Sequence, residues 1–260
     1  MQPLATWRPS KRIIGVLTDI DDTLTTNGAI TPDASQALAR LQAAGLKVIP
    51  ITGRPVGWSA PFTQSWPVDA IVAENGAVGL IHPPGQALRK IYQQSATERA
   101  HNLARMQAVS QRVLKEVPAS RLAQDSAGRE TDIAFDHSEF NHLPQTAMDE
   151  VLHILRSEGM TATVSSIHIN AWFGAHNKLD GARWIVRELW GRDLDAEIDQ
   201  WVYVGDSTND QVMFAHCANS VAVANIRRFE AQLTHPPQFI TRGERGAGFA
   251  ELTQHLLVSS

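Results

Sequence analysis

The chain has 260 residues, of which 43% are hydrophobic, 7% aromatic and 19% charged. This is an ordinary globular composition, which excludes disorder as the main state of the chain. The formal net charge is −4, from 23 basic and 27 acidic residues. No block of basic residues stands out, so a nucleic acid is excluded as the expected main partner.

Cysteine content and hydropathy exclude two further classes. The single cysteine, Cys217, rules out an intrachain disulfide and a zinc site built from several cysteines. The apolar run at residues 13–17 is too short for a signal-peptide core. No run approaches the roughly 20 residues that a membrane helix needs. We therefore expect a cytoplasmic protein with no membrane partner and Cys217 buried.

Short apolar runs alternate with helical patterns in the first 80 residues. Strands are predicted at 13–17, 47–51 and 70–73. Between the first two, Thr31 is a candidate N-cap, Pro32 suits the first helical position and Gly45 closes the helix. This alternation predicts right-handed βαβ units and a parallel sheet.

The middle of the chain has a different pattern. Ser95 and Glu98 form a capping box that opens a long helix, which Pro118 stops. A second helix is predicted at 144–158, and strands at 131–135, 161–164 and 167–172. Two helices and a few antiparallel strands indicate a small α/β sandwich inserted into a larger domain.

The first pattern then returns, with a helix at 177–190 closed by Gly191. Strands follow at 201–204, 220–223 and 238–240. The fold class is therefore a doubly wound, Rossmann-like α/β core with an inserted α/β cap. We assign residues 1–82 and 174–260 to the core and 83–173 to the cap, with the Pro-rich stretch 82–85 as the first hinge.

Acidic and hydroxyl side chains follow three predicted strands, at residues 18–23, 52–54 and 205–210. The carboxyl ends of parallel strands share one edge of a sheet, and ligands bind there. Acid-rich loops that meet at one edge repel one another unless a cation joins them. Oxygen ligands favour a hard cation, so Mg²⁺ is the expected cofactor.

Lys178 begins the helix that follows the insert. A helix N-terminus and an ammonium group both favour anions. A phosphate held between Mg²⁺, Lys178 and the hydroxyl of Thr52 would be well compensated.

The motifs Asp-x-Asp-x-Thr at 19–23, Thr-Gly-Arg at 52–54, Lys178 and Gly-Asp-x-x-x-Asp at 205–210 occur in this order. With Ala-Glu-Asn-Gly-Ala at 73–77, this order resembles the haloacid dehalogenase-like phosphohydrolase superfamily. The position of the insert is similar to that in subfamily IIB. That branch includes Cof-type phosphatases, phosphatases of sucrose phosphate, mannosyl-phosphoglycerate and trehalose phosphate, and phosphomannomutases.

The resemblance implies a role for each matching residue. Asp19 would be the nucleophile, and Asp21 the general acid and base. Thr52 and Lys178 would act on the phosphoryl group. Magnesium would be held by Asp19, Asp206, Asp210 and the backbone carbonyl of Asp21. Together with Thr52 and Lys178, the residues expected to contact substrate are Gly53, Arg54, Asn75, Asn209, His168 and Asn170.

Two departures and two alternatives concern these residues. Asp22 stands where the family usually has glycine, and Asn170 stands where related sugar phosphatases often have an acid. Arg54 could contact substrate or form a structural ion pair. His168, Asn170 and Trp172 share one face of a strand, which could look onto the substrate or pack on a cap helix.

For several other polar residues, we expect an ordinary structural role rather than a functional one. His168 and His176 lack a third ligand of compatible spacing, so a metal pair is disfavoured. Arg129, Asp132 and Asp136 are predicted to lie on a solvated rim. The glycine-rich stretch 243–248 fails the dinucleotide pattern and is predicted to be a loop and helix start.

The sequence therefore predicts a magnesium-dependent phosphatase that hydrolyses a small phosphate ester, foremost a sugar phosphate, through an aspartyl-phosphate. A phosphomutase and a non-catalytic sugar-phosphate-binding regulator remain as alternatives. The expected assembly is a monomer or homodimer.

Overall fold

The computed structural model describes residues 1–258. The helices are α1 (Pro32–Ala43), α2 (Val56–Ser65), α3 (Ala96–Glu116), α4 (Gln145–Ser157), α5 (Lys178–Trp190), α6 (Gln211–His216) and α7 (Arg245–Val258). The strands are β1 (Gln2–Pro3), β2 (Gly15–Thr18), β3 (Thr25–Thr26), β4 (Ala29–Ile30), β5 (Lys47–Pro50), β6 (Ile71–Ala73), β7 (Val78–Ile81), β8 (Arg89–Tyr92), β9 (Ile133–Asp136), β10 (Thr161–Val164), β11 (His168–Trp172), β12 (Trp201–Gly205), β13 (Ser220–Ala222) and β14 (Phe239–Ile240).

A six-stranded parallel sheet forms the centre of the core, in the order β1-β14-β13-β12-β2-β5. Alternate residues of each strand enter different layers. Val16 packs in the cluster that contains residues of α1 and α7. Leu17 packs in the cluster that contains residues of α5 and α6. Both faces of the sheet are thus covered, and the predicted doubly wound parallel core is confirmed.

A smaller antiparallel sheet, β6-β7-β8, continues from the edge of the core. Ile51 forms a parallel bridge with Val72, which joins this sheet to the end of β5. Strand β8 pairs with β7 over its whole length. The stretch 82–85, predicted as the hinge into the cap, therefore lies between two paired strands. We propose that the inserted unit begins after Tyr92, because β8 is hydrogen-bonded to the core side.

The inserted unit is a layer of α3 and α4 on a three-stranded antiparallel sheet, β10-β11-β9. Helix α3 begins with the predicted capping box, in which Ser95 and Glu98 exchange hydrogen bonds with each other's backbone N–H groups. Ile169 and Ala171 of β11 pack among the residues of these helices. His168 and Asn170 lie on the opposite face of the same strand.

The predictions missed several short elements. Strand β1 extends the parallel sheet, and β3 and β4 form a hairpin. Helix α2 contains both Gly57 and Pro61, whose low helix propensity weakens the sequence signal for a helix. A Cβ on Gly57 would lie 2.8 Å from the Cα of Gly128, so glycine at both positions allows the core and the insert to touch.

Within residues 1–258, we find no helix whose length and hydropathy would suit it to a membrane span.

Candidate active site

The three predicted loops meet at the carboxyl edge of the parallel sheet. Asp19 follows β2, and its N–H donates to the carbonyl of Val204 in β12 at 2.9 Å. Asp206 follows β12 directly. Thr52 lies just beyond β5, and its N–H donates to the carbonyl of Val72. Parallel pairing therefore brings together residues that are far apart in the chain.

Lys178 lies at the centre of the site and is buried. Its Nζ lies 2.6 Å from Oδ1 of Asp19 and 2.7 Å from Oδ1 of Asp210. Burial alone would lower the pKa of Lys178, but the two carboxylates outweigh it and raise the pKa. The Asn177 side chain caps α5 by accepting from the N–H groups of Leu179 and Asp180, which fixes where the lysine projects.

Asp210 is held by donors from several directions. The N–H groups of Asp206 and Ser207 donate to its Oδ2 at 2.9 and 3.0 Å. The hydroxyl of Tyr203 donates to its Oδ1. A Cβ on Gly205 would lie 2.5 Å from the Asp210 carboxyl carbon, so this close approach requires glycine. Tyr203 was not identified from the sequence.

Asp19, Asp206 and Asp210 form a buried acidic cluster, with one carboxylate oxygen of each within 4.8 Å of the others. Burial raises the pKa of Asp206 well above its usual range and, despite Lys178, raises the pKa of Asp19 to about 7. Oδ1 of Asp206 is buried without a hydrogen-bond partner among residues 1–258. Three carboxylates with one free oxygen are suited to a hard divalent cation.

The carboxylate of Asp21 lies outside this cluster and pairs with Arg54. Nε of Arg54 lies 2.9 Å from Oδ2 of Asp21, and Nη2 lies 3.0 Å from Oδ1. The same guanidinium reaches two acids of the insert, Asp125 at 3.1 Å and Glu139 at 2.7 Å. Burial would lower the pKa of Arg54, but these carboxylates raise it. The structure thus shows Arg54 as an ion-pair centre between core and insert.

Gly53 lies at a tight junction between the two parts. The Asn170 side chain donates to its carbonyl at 3.2 Å, and Arg129 donates to the same oxygen at 3.0 Å. A Cβ on Gly53 would lie 3.1 Å from Oδ1 of Asn170 and 3.3 Å from Oδ1 of Asn75. A side chain at the glycine of the Thr-Gly-Arg motif would therefore crowd Asn170 and Asn75.

The solvated rim predicted for Arg129, Asp132 and Asp136 is wrong, because all three are buried. Arg129 pairs with Asp132 at 2.8 Å and with Asp125 at 3.0 Å. Burial raises the pKa of Asp132 to about 7 although Arg129 opposes the shift. Asp136 instead accepts from the backbone N–H groups of residues 138–141. Charged residues are usually exposed, and here pairing and backbone donors make burial possible.

The shared face of His168, Asn170 and Trp172 turns toward the core, but all three side chains are buried. Nε2 of His168 lies 2.9 Å from Glu139, and Asn170 contacts Gly53 and Asp132. Trp172 donates to the carbonyl of His176. None of the three lines the large cavity described below. His168 and Asn170 thus hold other groups in place, and contact of either with substrate stays a prediction.

Three remaining predicted residues lie near the strand ends. The Thr52 hydroxyl is buried and accepts from the N–H of Arg54 at 3.0 Å. Asn75 donates to Asp132 at 3.3 Å. Asn209 accepts from the hydroxyl of Ser207 at 2.8 Å. Thr52 retains its proton for a further acceptor, and contact of Asn75 or Asn209 with substrate stays a prediction.

A cavity of about 620 Å³ lies between the core and the insert. Asp21 and Arg54 form part of its wall, with Trp58 beside Arg54. The remaining lining residues are Asp22, Thr25, Asn27, Gly28, Ala29, Arg228 and Arg245 from the core, and Ser138, Glu139, Phe140, Ser166 and Ile167 from the insert. Only Asp21 and Arg54 of these were predicted site residues. The others come from separate loops, short strands and helices of the core and the insert.

A family model described as haloacid dehalogenase-like hydrolase matches residues 16–116. Residues 16–116 are therefore similar to haloacid dehalogenase-like hydrolases. The matched segment includes the Asp19 and Thr52 loops, and the predicted recognition and hydrolase class are confirmed at that level. A search of curated proteins found no match by sequence.

Several solved structures are similar to this chain over 95% of its length. A Thermoplasma acidophilum protein has a TM-score of 0.71 at 17% identity, covering 95% of this chain and 100% of its own. The sucrose-phosphatase from Synechocystis, solved with sucrose and phosphate, has a TM-score of 0.66 at 14% identity, covering 95% and 98%. A sugar phosphatase of subclass IIB has a TM-score of 0.64 at 16% identity, covering 95% and 100%. These likenesses confirm the fold class.

Proposed function

We propose that this protein is a magnesium-dependent phosphatase that hydrolyses a small sugar phosphate through an aspartyl-phosphate. The observation that carries the proposal is the buried group formed by Asp19, Lys178, Asp206 and Asp210 at the sheet edge, beside Asp21. A nucleophilic carboxylate, a fixed ammonium and a cluster of oxygen ligands are what phosphoryl transfer to an aspartate requires.

Asp19, Asp206 and Asp210 would hold the cation, together with the backbone carbonyl of Asp21. The unpartnered oxygen of Asp206 supports this assignment. When bound, Mg²⁺ would supply Lewis-acid stabilisation of charge on the phosphoryl oxygens. The alternative explanation, a purely structural ion-pair cluster, leaves that buried oxygen without a partner.

Each residue of the site has a separate role in the proposed reaction. An oxygen of Asp19 attacks phosphorus, and the bond from phosphorus to the sugar oxygen breaks. Asp21 gives its proton to that oxygen and later accepts one from the water that cleaves the Asp19–phosphorus bond. Lys178 compensates charge on Asp19 and on the transferring group, and the Thr52 hydroxyl is oriented for a phosphoryl oxygen.

Arg54 positions Asp21 for this work. Its two contacts fix the plane of the Asp21 carboxylate, and its contacts to Asp125 and Glu139 link that plane to the insert. The insert would therefore assemble the acid/base as it covers the substrate. Trp58 of the core and Phe140 of the insert both line the cavity, and with Ser138 and Ser166 they suit a ligand with both apolar and hydroxyl surfaces.

The first test is phosphate release from a panel of sugar phosphates, nucleotides and phosphoglycolate, with and without Mg²⁺. We expect release that requires Mg²⁺ and is fastest for a sugar phosphate. Asp19→Asn should lower kcat by at least about 10³-fold because it removes the nucleophile. The matched control, Asp33→Asn, changes an exposed aspartate in the first turn of α1 and should retain activity.

Each contrary outcome has a defined meaning. Full activity of the folded Asp19→Asn variant would refute the mechanism. Return of the phosphoryl group to a second sugar position would show a mutase instead. Ligand binding by the wild-type protein without any turnover would favour the non-catalytic regulator.

A further inference from the structure

Asp22 has a backbone conformation that is uncommon for a residue other than glycine, with φ of 55°. Its position is the one at which the superfamily motif usually has glycine. Its N–H donates to the Thr25 hydroxyl, and its carbonyl accepts from the Asn225 side chain at 3.0 Å. A side chain at this position therefore carries a conformational cost that glycine would avoid.

Two arginines from the far end of the chain meet the Asp22 carboxylate. Nη2 of Arg228 lies 2.8 Å from Oδ2, and Nε of Arg245 lies 3.0 Å from Oδ1. Arg228 also lies 3.2 Å from Oδ2 of Asp206, in the acidic cluster. Asp22, Arg228 and Arg245 line the cavity, and both arginines remain partly exposed.

Without Asp22, this wall of the cavity would present two cationic groups a short distance from the phosphoryl site. Arg228 is separated from Asp19 by only Asp206, whose carboxylate belongs to the same cluster as that of Asp19. Arginine binds phosphate and carboxylate groups through planar, two-point contacts. Such a wall would attract a substrate with a second anionic group.

From this arrangement we infer that Asp22 determines specificity by occupying the two arginines, so that the site accepts monophosphates whose remainder is neutral and hydroxylated and carries no second anionic group. The inference rests on the proposed function and names its substrate class. Arg54, which also lines the cavity, is likewise paired with carboxylates, those of Asp21 and Glu139. Bisphosphates and phosphorylated sugar acids are the excluded class.

The test compares binding of glucose 6-phosphate and fructose 1,6-bisphosphate by calorimetry in the presence of Mg²⁺. Asp19→Asn is the background, so that neither ligand is consumed. Adding Asp22→Asn should tighten bisphosphate binding relative to monophosphate binding by about tenfold, because Arg245 loses its Asp22 partner and Arg228 keeps only Asp206. Asparagine tolerates positive φ, and Asp22→Gly is a second variant that relieves the backbone altogether.

Two further variants isolate the cause. Arg228→Gln and Arg245→Gln in the Asp22→Asn protein should each reduce the gained preference. Adding Asp33→Asn instead of Asp22→Asn should leave the ratio of the two dissociation constants unchanged, since Asp33 lies on α1 outside the cavity.

The outcomes separate the inference from the proposed function. An unchanged ratio in both Asp22 variants, with glucose 6-phosphate still bound, would overturn the inference alone. Binding of neither ligand, together with no phosphate release by the wild-type protein, would overturn both.

Discussion

At the scale of single residues, burial changes what an ion pair contributes. The ammonium of Lys178 lies between Asp19 and Asp210 in the protein interior. Lys11 forms a pair of similar length, 2.8 Å to Asp199, but its side chain is 57% exposed. Removing one partner of a buried pair leaves an uncompensated charge, whereas water screens the remaining partner at the surface.

We therefore expect Lys178→Gln to lower the free energy of unfolding by about 3–5 kcal/mol and to abolish phosphate release. Lys11→Gln, the matched surface control, should cost about 0–1 kcal/mol and retain activity. Urea unfolding of both variants at neutral pH without Mg²⁺ measures the difference. Equal stability of the two variants would contradict the assigned role of burial.

At the scale of elements, one carboxylate organises the loop that brings the insert to the cavity. Asp136 ends β9, and its two oxygens accept from the N–H groups of Ser138, Glu139, Phe140 and Asn141 at 2.8–3.1 Å. Glu139 then reaches Arg54, and Phe140 lines the cavity with its side chain largely exposed. The loop geometry is thus set by a side chain that does not itself line the cavity.

Asp136→Asn replaces one acceptor oxygen by an NH₂ group, which cannot accept from the backbone N–H groups that face it. We expect KM for the best substrate to rise about tenfold or more, with a smaller change in kcat, because the loop binds and orients rather than reacts. Asp149→Asn, on the exposed side of α4, is the control. A fall in kcat with unchanged KM would instead place Asp136 in the chemical step.

At the scale of the whole molecule, charged and polar contacts join the insert to the core. Glu74 of the core accepts from the backbone of Glu130 and Thr131 and from the Thr131 hydroxyl. Thr208 of the core donates to the carbonyl of Val164 at 2.8 Å. The buried Arg54 of the core also forms an ion pair with the partly buried Glu139 of the insert. A junction of this polar kind is suited to opening and closing, because polar groups can also be solvated by water.

The junction makes stability depend on pH. Burial would raise the pKa of Glu139, but hydrogen bonds from His168 and Arg54 outweigh it and lower the pKa from 4.5 to about 2. A depressed pKa contributes stability that is complete above pH 4.5 and is lost as the pH falls toward 2. Asp21 and Asp125 face the same arginine and compete for it.

We expect Glu139→Gln to be less stable than wild type at pH 6, with a smaller difference at pH 3, as judged by denaturant unfolding at both values. The exposed Glu150→Gln of α4 is the control. If the difference between wild type and Glu139→Gln were the same at both pH values, the ion pair would not account for it.

The sequence by itself determined the parallel core, the inserted α/β unit and the convergence of Asp19, Lys178, Asp206 and Asp210. It could do so because strand and helix periodicity are local, and because parallel strands bring their carboxyl ends to one edge. It also predicted the buried state of Cys217 correctly.

Only the tertiary structure decided which residues line the cavity and which of its charged side chains pair with one another. Arg54 meets Asp125 and Glu139, which are 71 and 85 residues away, and Asp22 meets Arg228 across 206 residues. These partners lie in loops whose positions depend on how the insert and the C-terminal segment pack. For the same reason the buried Arg129 and Asp132 were predicted to be solvated: the neighbours that neutralise a buried charge leave no local pattern in the chain.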